Sequence, residues 1–351
     1  MGPENYTTNV SLLNMNWIEL PDNQRRTIVD AVLMDNPRMN ENVIEKDWWV
    51  TLILKALFSS SCKEFLTFKG GTSLAKWGII DRFSEDVDVA LDKSMWGLAG
   101  DTKTQRDNIR KRTRKFIGGS LVSELKNQLK EMGTKDFDIE FVESKDSDKD
   151  PTVVVVPYRS LYSSVGYVPA AIKVEFSSRS LLEPRVPLRI VPLFAKTYPE
   201  VFSDYCFDVM AVHPSRTFME KIFLLHEELQ KDHPRTLRMT RHLYDISQLM
   251  ETEYAKSALE DTQMYLDIVK HRSVFNSVRG IDYSKHHPSL VDIIPKGDLA
   301  ESWRNDYALM REHFIYGESL DYDTLIEKLK GLQNRIRAIK IDKELFNFTS
   351  S

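Results

Sequence analysis

Residues 65–91, FLTFKGGTSLAKWGIIDRFSEDVDVAL, constrain this chain more than any other stretch. A glycine pair, Gly70 and Gly71, precedes Thr72 and Ser73, and a short helix later Asp86 and Asp88 alternate with Val87, Val89 and Leu91. Glycine lets a backbone approach a phosphate closely. Hydroxyls and free N–H groups at a helix start favour phosphate. Two carboxylates spaced by two residues on a strand share one face. A buried strand has no ordinary reason to align two acids, so the order of phosphate turn, helix and acidic strand fits a triphosphate with its magnesium. A second metal about 4 Å away would clamp attacking and leaving oxygens.

Around this stretch the periodicity predicts helices over 21–34 and 41–59, with Val43, Trp48 or Trp49, Leu52 and Leu57 as the buried stripe of the second. FLTF (65–68) and DVDVAL (86–91) read as strands flanking a short helix over 72–80. A long helix is expected over 103–132. Candidate strands follow at 136–142, 152–158 and 170–176, with a further one at 187–193 and a polar turn at 144–150. From about residue 214 the pattern is helical. The expected architecture is α+β with a mixed sheet over 1–200, containing the N-terminal helices, followed by an α-helical domain over 201–351.

Composition permits this and excludes other classes. The chain has 351 residues, enough for two domains, with 42% hydrophobic and 28% charged residues. It holds no run of about 18 uncharged apolar residues, so no membrane span is expected. The start, MGPENYTTNVSLLNMNW, lacks the basic and apolar regions of a secretory signal. Two cysteines, Cys62 and Cys206, read as small core residues, which fits a reducing cytoplasm. Net charge is −4, so any affinity for nucleic acid must come from a local patch. No CxxC, HExxH, GxSxG or P-loop frame occurs.

A third carboxylate is expected from a neighbouring strand. In AAIKVEF, Ile172, Val174 and Phe176 share one face, while Lys173 and Glu175 share the other. Glu175 is the candidate third metal ligand or general base, against the reading of a plain Lys173–Glu175 surface pair. Asp138 and Glu140 are rivals. Glu85 is expected to point away from Asp86, and Lys69 to reach a phosphate or stay solvated.

FKGGTSLAKWGIIDRFSEDVDVAL resembles the AbiEii/AbiGii family of toxin nucleotidyltransferases, related to the MenT toxins. The residues that carry the likeness are Lys69, Gly70, Gly71, Thr72, Ser73 and Leu74, then Arg82, Phe83, Ser84, Glu85, Asp86, Val87 and Asp88. Glu45, Lys46, Asp47 and Trp48 resemble the family's N-terminal helix, and FMEKIFLLHEEL (218–229) and RHLYDISQL (241–249) its helical segments. The resemblance implies a polymerase-β-like nucleotidyltransferase core that uses an NTP and Mg²⁺. It implies roles for Lys221, beside the stripe Phe218, Ile222, Leu225 and Leu229, and for Asp245. Lys221 would neutralise the triphosphate. Asp245 would orient Lys221 or Arg241, or merely pair with Arg241 at i,i+4. Gly70, Gly71, Thr72 and Ser73 would cradle phosphates, with Ser73 also a helix-cap candidate.

By the same resemblance the acceptor is RNA, with the tRNA 3′ end foremost, and the effect is growth arrest or abortive infection, with a separately encoded antitoxin as partner. Two basic runs suit a nucleic-acid backbone. TKTQRDNIRKRTRK (102–115) has seven Lys or Arg and one acid, and KDHPRTLRMTRH (231–242) lies near the expected site. No aromatic interleaves the first run before Phe116, which does not indicate base stacking. Two alternatives remain open: nucleotidyl transfer to a protein or small molecule, and a non-catalytic NTP- or RNA-binding module.

Overall fold

The structure is a computed structural model, and it describes residues 16–84, 86–100, 102–143, 151–163, 169–276 and 278–347. Glu85 and the polar segment 144–150 lie outside the described residues.

A mixed seven-stranded sheet carries the site. Its strands are β1 (Leu66–Lys69), β2 (Asp86–Leu91), β3 (Glu140–Val142), β4 (Thr152–Pro157), β5 (Ala171–Ser177), β6 (Arg185–Ile190) and β7 (Phe207–Val212), in the order β3-β4-β5-β2-β1-β7-β6. β2 runs parallel to β5, and β1 parallel to β7. The other neighbours are antiparallel. The alternation legible in the sequence is what turns β2 and β5. Val87, Val89, Ile172, Val174 and Phe176 are buried, and the polar residues between them take the opposite face.

The apolar face packs on the helix Glu41–Leu57, in which Trp48, Trp49, Leu52, Ile53 and Leu57 are all buried. Both tryptophans are therefore inside. Trp49 stacks on Tyr158, and Trp48 meets Phe194, Phe202 and Tyr205. A second hydrophobic cluster lies in the helices that follow. It is built on Pro214–Leu229, Thr240–Leu249, Thr262–His271, Gly297–His313 and Tyr322–Arg337. Leu74 and Ile80, from the segment between β1 and β2, belong to this second cluster, so that segment is gripped from both sides.

Three differences from the sequence reading have physical causes. The expected helix over 103–132 consists of Lys103–Phe116, a π-helical stretch Ile117–Leu121 with Gly118 and Gly119, and Val122–Glu131. Only Glu140–Val142 of the 136–142 segment pairs as a strand, at the sheet edge. β7 was not anticipated. It sits next to β1 inside the sheet and buries Val209, Ala211 and Val212, while Asp208 is exposed; its residue types, FDVMAV, show too little polar–apolar alternation to mark it.

Candidate active site

Register places the acids. Across the sheet Lys69 stands opposite Asp88 and Asp88 beside Glu175. One step along, Asp86 stands beside Lys173. Paired residues on adjacent strands share a face. Lys69, Asp88 and Glu175 therefore form one polar row, with Asp86 and Lys173 in the next. Burial pushes the Asp88 carboxyl up to about 6. Lys69 and Lys221 pull it down, and the Glu175 and Asp86 carboxylates push it further up. Lys69 Nζ donates to Ser180 Oγ at 2.8 Å, and Lys173 donates to Glu175. The surface-pair reading of Lys173 and Glu175 is thus realised in this state, while Glu175 keeps its place beside Asp88. A cavity of about 420 Å³ opens on the row, lined by Lys69, Asp88, Glu175, Ser177 and Arg179.

Gly70 follows at φ +79°, in the left-handed region, and a Cβ there would overlap the Asp88 carboxylate. A Cβ on Gly71 would come within 2.8 Å of the Arg82 guanidinium and 3.0 Å of Ser84 Oγ. Both glycines are required by close approach. The hydroxyls after them are turned inward. Thr72 Oγ1 bonds Ser84 Oγ at 3.0 Å and donates to the Asp86 carbonyl, and Ser73 Oγ donates to the Gly70 carbonyl at 2.9 Å. Ser73, expected at the phosphates, is fully buried, so it shapes the turn instead.

Asp245 is fully buried and gathers two cations. Arg82 Nε and Nη2 donate to its two oxygens at 2.6 and 2.7 Å, and Lys221 Nζ lies 2.8 Å from Oδ2. Burial alone would raise the Asp245 carboxyl, but Arg82 and Lys221 hold it well below the carboxylate range. Lys221 is pushed below its ordinary value chiefly by burial. Asp245 thus pairs with Lys221 and Arg82, and among the described residues it forms no ion pair with Arg241 at i,i+4. Arg82 is the residue the sequence reading passed over, although it stood in the quoted motif. Arg241 lies nearby. Its Nε is buried with no hydrogen-bond partner among the described residues, and burial lowers its proton affinity while Asp86 raises it. A buried guanidinium short of an acceptor is suited to an anion.

The segment bearing Arg82 is clamped from the far end of the chain. Phe83 N donates to the Phe314 carbonyl at 2.7 Å. Tyr316 N and Gly317 N both donate to the Asp81 carbonyl at 3.0 Å, and Tyr316 Oη donates to the Arg82 carbonyl at 3.2 Å. Arg82 and Ile315 form an antiparallel bridge. A Cβ on Gly317 would overlap Asp81 Cβ.

The remaining candidates fall elsewhere. Asp138 pairs with Lys126 in the open, and Glu140 is exposed on the edge strand, so neither rival reaches the acidic row. In the second basic run Lys231 and Arg235 are bound to Glu228, which leaves less free charge there than the sequence suggests. His242 is buried and held well below its ordinary value by burial. Among the described residues no three His, Cys, Asp or Glu side chains converge on a metal position. The oxygen-only donors, and the raised Asp88 beside two further acids, nonetheless fit a hard divalent cation that would relieve their repulsion. No described helix is long and apolar enough to cross a membrane.

No curated protein matches the sequence. A crystal structure of a candidate nucleotidyltransferase from H. pylori is similar at 15% identity, covering 85% of this chain and 96% of that one, with a TM-score of 0.42. JHP933 from Helicobacter pylori is similar at 17% identity, covering 86% and 98%, with a TM-score of 0.36. The family profile described as "Nucleotidyl transferase AbiEii toxin, Type IV TA system" matches residues 52–328, from the buried N-terminal helix to the last long helix. The chain is a nucleotidyltransferase, and it belongs to the AbiEii toxin family of type IV toxin–antitoxin systems, whose members act with a separate antitoxin.

Proposed function

We propose that this protein transfers a nucleoside monophosphate from an NTP to a hydroxyl of RNA, with the tRNA 3′ end as the foremost acceptor, using Mg²⁺ in the cytoplasm. The observation that carries this reading is Asp88, in register with Lys69 and Glu175 and in close approach to Gly70. It sets an acidic row directly against the turn where phosphates would lie.

Asp86, Asp88 and Glu175 are the residues that would hold the metal. The cation, when bound, supplies charge neutralisation at the phosphates. Gly70 and Gly71 let the nucleotide approach, and Lys69 and Arg241 offer cations to it. Lys221 neutralises the triphosphate, with Asp245 and Arg82 fixing its position. The acceptor oxygen bonds to the α-phosphorus as the bond to the bridging oxygen breaks. Pyrophosphate leaves with that electron pair, and Glu175 takes the hydroxyl proton.

The test is label transfer with each α-³²P-NTP, Mg²⁺ and total RNA, beside Asp88→Ala. Label on tRNA-sized RNA, absent with the variant, is the expected result. Label on protein alone would replace the RNA acceptor with a protein one. Nucleotide binding without any transfer, from folded protein, would leave a silent binding module.

A further inference from the structure

One helix reaches the candidate site at two places. Gly297–His313 leads into the Phe314–Gly317 clamp on the Arg82 segment, and from its middle Asp306 grips the turn that opens the helix Thr240–Leu249. Oδ1 of Asp306 accepts from Arg238 N at 2.8 Å. Its Oδ2 accepts from Thr240 N at 3.2 Å and from Thr240 Oγ1 at 2.5 Å. Trp303, fully buried one turn earlier, donates from Nε1 to the Arg235 carbonyl at 2.9 Å.

That turn needs holding. Arg238 sits at φ +59°, and among the described residues no other side-chain-bearing residue enters the left-handed region. A Cβ there crowds the backbone, so the conformation persists only where its surroundings impose it. Asp306 imposes it from one side of the turn to the other, taking the N–H groups of both Arg238 and Thr240. The helix inherits the result. Thr240 is its first residue and fully buried, and Arg241 is its second.

Strained backbone gathers at functional sites, and this strain lies beside a cation short of an acceptor. Arg241 is half-buried, and its Nε has no hydrogen-bond partner among the described residues. Burial weakens its hold on the proton, Arg82 and Arg238 press in the same direction, and Asp86 and Asp245 oppose them. Arg241 therefore stands in the field of the acidic strand. It is bracketed along its own helix by two anchored positions. Thr240 is tied to Asp306, and Asp245 is tied to Arg82 and Lys221.

We propose that Asp306 is a positioning residue of the nucleotide site. By tying Arg238 and Thr240 to the helix Gly297–His313, it sets the direction in which Arg241 leaves the backbone and presents the guanidinium to the polyphosphate of the NTP. The inference rests on Arg241 as a phosphate ligand and adds how the fold aims it.

The test is calorimetric binding of inorganic tripolyphosphate, and of each NTP, to the full chain with Mg²⁺. Wild type is compared with Arg241→Ala, Asp306→Ala and the double variant. Each single variant should weaken binding about 10-fold, the order of one charge-assisted hydrogen bond. The double variant should bind no more weakly than Arg241→Ala, because a residue that acts through another adds nothing once that one is gone. Arg238→Gly placed in Asp306→Ala should recover most of the affinity, since glycine takes a left-handed turn without a tether. In turnover, Asp306→Ala should raise the KM for NTP and leave the KM for the acceptor unchanged. If Asp306→Ala folds poorly, Thr240→Val deletes one of the three bonds and should give a smaller loss in the same direction. Wild-type affinity in both Asp306→Ala and Thr240→Val, or losses that add in the double variant, would overturn the inference. Full affinity in Arg241→Ala would sink the phosphate reading of Arg241 and the inference with it, whereas a loss there with none at Asp306 would sink the inference alone.

Discussion

Two charged constellations lie close together in this molecule, and they are built on opposite terms. Around Asp245 one buried anion is shared by two cations. A fully buried carboxylate takes two bonds from Arg82 and one from Lys221, and its proton affinity falls far below normal. Around Asp88 the charges are left in excess. Three acids share adjoining rows, and the Asp88 carboxyl is driven up to about 6. The first is a bonded ion-pair cluster that fixes geometry and carries one more cation than anion. The second is held ready for cations that arrive with the substrate. A satisfied site adds to rigidity, whereas a site meant to bind stores its repulsion until a ligand relieves it.

This contrast can be broken at either end. Asp88→Asn should abolish label transfer, lowering it by at least ~10³-fold. It should also leave the melting temperature unchanged or raised, because it removes a carboxylate that the fold disfavours. A large fall in Tm would show that Asp88 is structural. Asp245→Asn should do the reverse in stability. Leaving Arg82 and Lys221 buried without their anion should cost about 3–5 kcal/mol, read by urea denaturation, together with loss of activity. Full stability in that variant would dissolve the distinction between the two sites.

Gly317→Ala perturbs only the clamp on the Arg82 segment. It should cost about 1–3 kcal/mol and lower kcat more than it raises the KM for NTP, checked by steady-state kinetics beside thermal melts. The smallest effect is expected from acid. Burial pushes the Glu227 carboxyl up, but Arg272 and His286 outweigh it and hold the group at about 2. Its folded value is depressed, so its contribution is fully present above the ordinary value of 4.5 and is lost as pH falls from there toward 2. Glu227→Gln should flatten that part of the stability–pH curve, and an unchanged curve would remove Glu227 from the account.

The legible and illegible parts of the site divide along chain distance. β2 was readable to the residue, because period-2 alternation in DVDVAL reports one buried face locally. Glu175 was readable as a same-face partner for the same reason, and its register beside Asp88 follows from β2 and β5 being neighbours. β7 escaped because FDVMAV carries one polar residue, Asp208, and so shows almost no polar–apolar alternation in its residue types. An apolar run of that length cannot be told from a piece of buried helix by periodicity. The partnership of Arg82 with Asp245 spans 163 positions and depends on how the helices dock, which no local pattern encodes. Ser73 shows what stays hidden at the smallest scale. A hydroxyl at a turn can face a ligand or its own backbone, and here it bonds the Gly70 carbonyl.

The clamp from Phe314 to Gly317 also has a meaning in time. Tyr316 follows Arg82 by 234 residues, so on the ribosome the acidic row and glycine turn are made long before the strand that steadies Arg82. A chain ending before Phe314 would carry the whole signature motif and the Arg82–Asp245 pair, but not the bonds to the Asp81, Arg82 and Phe83 backbone. Full tethering of the Arg82 segment therefore comes only after the helix Gly297–His313 has been made.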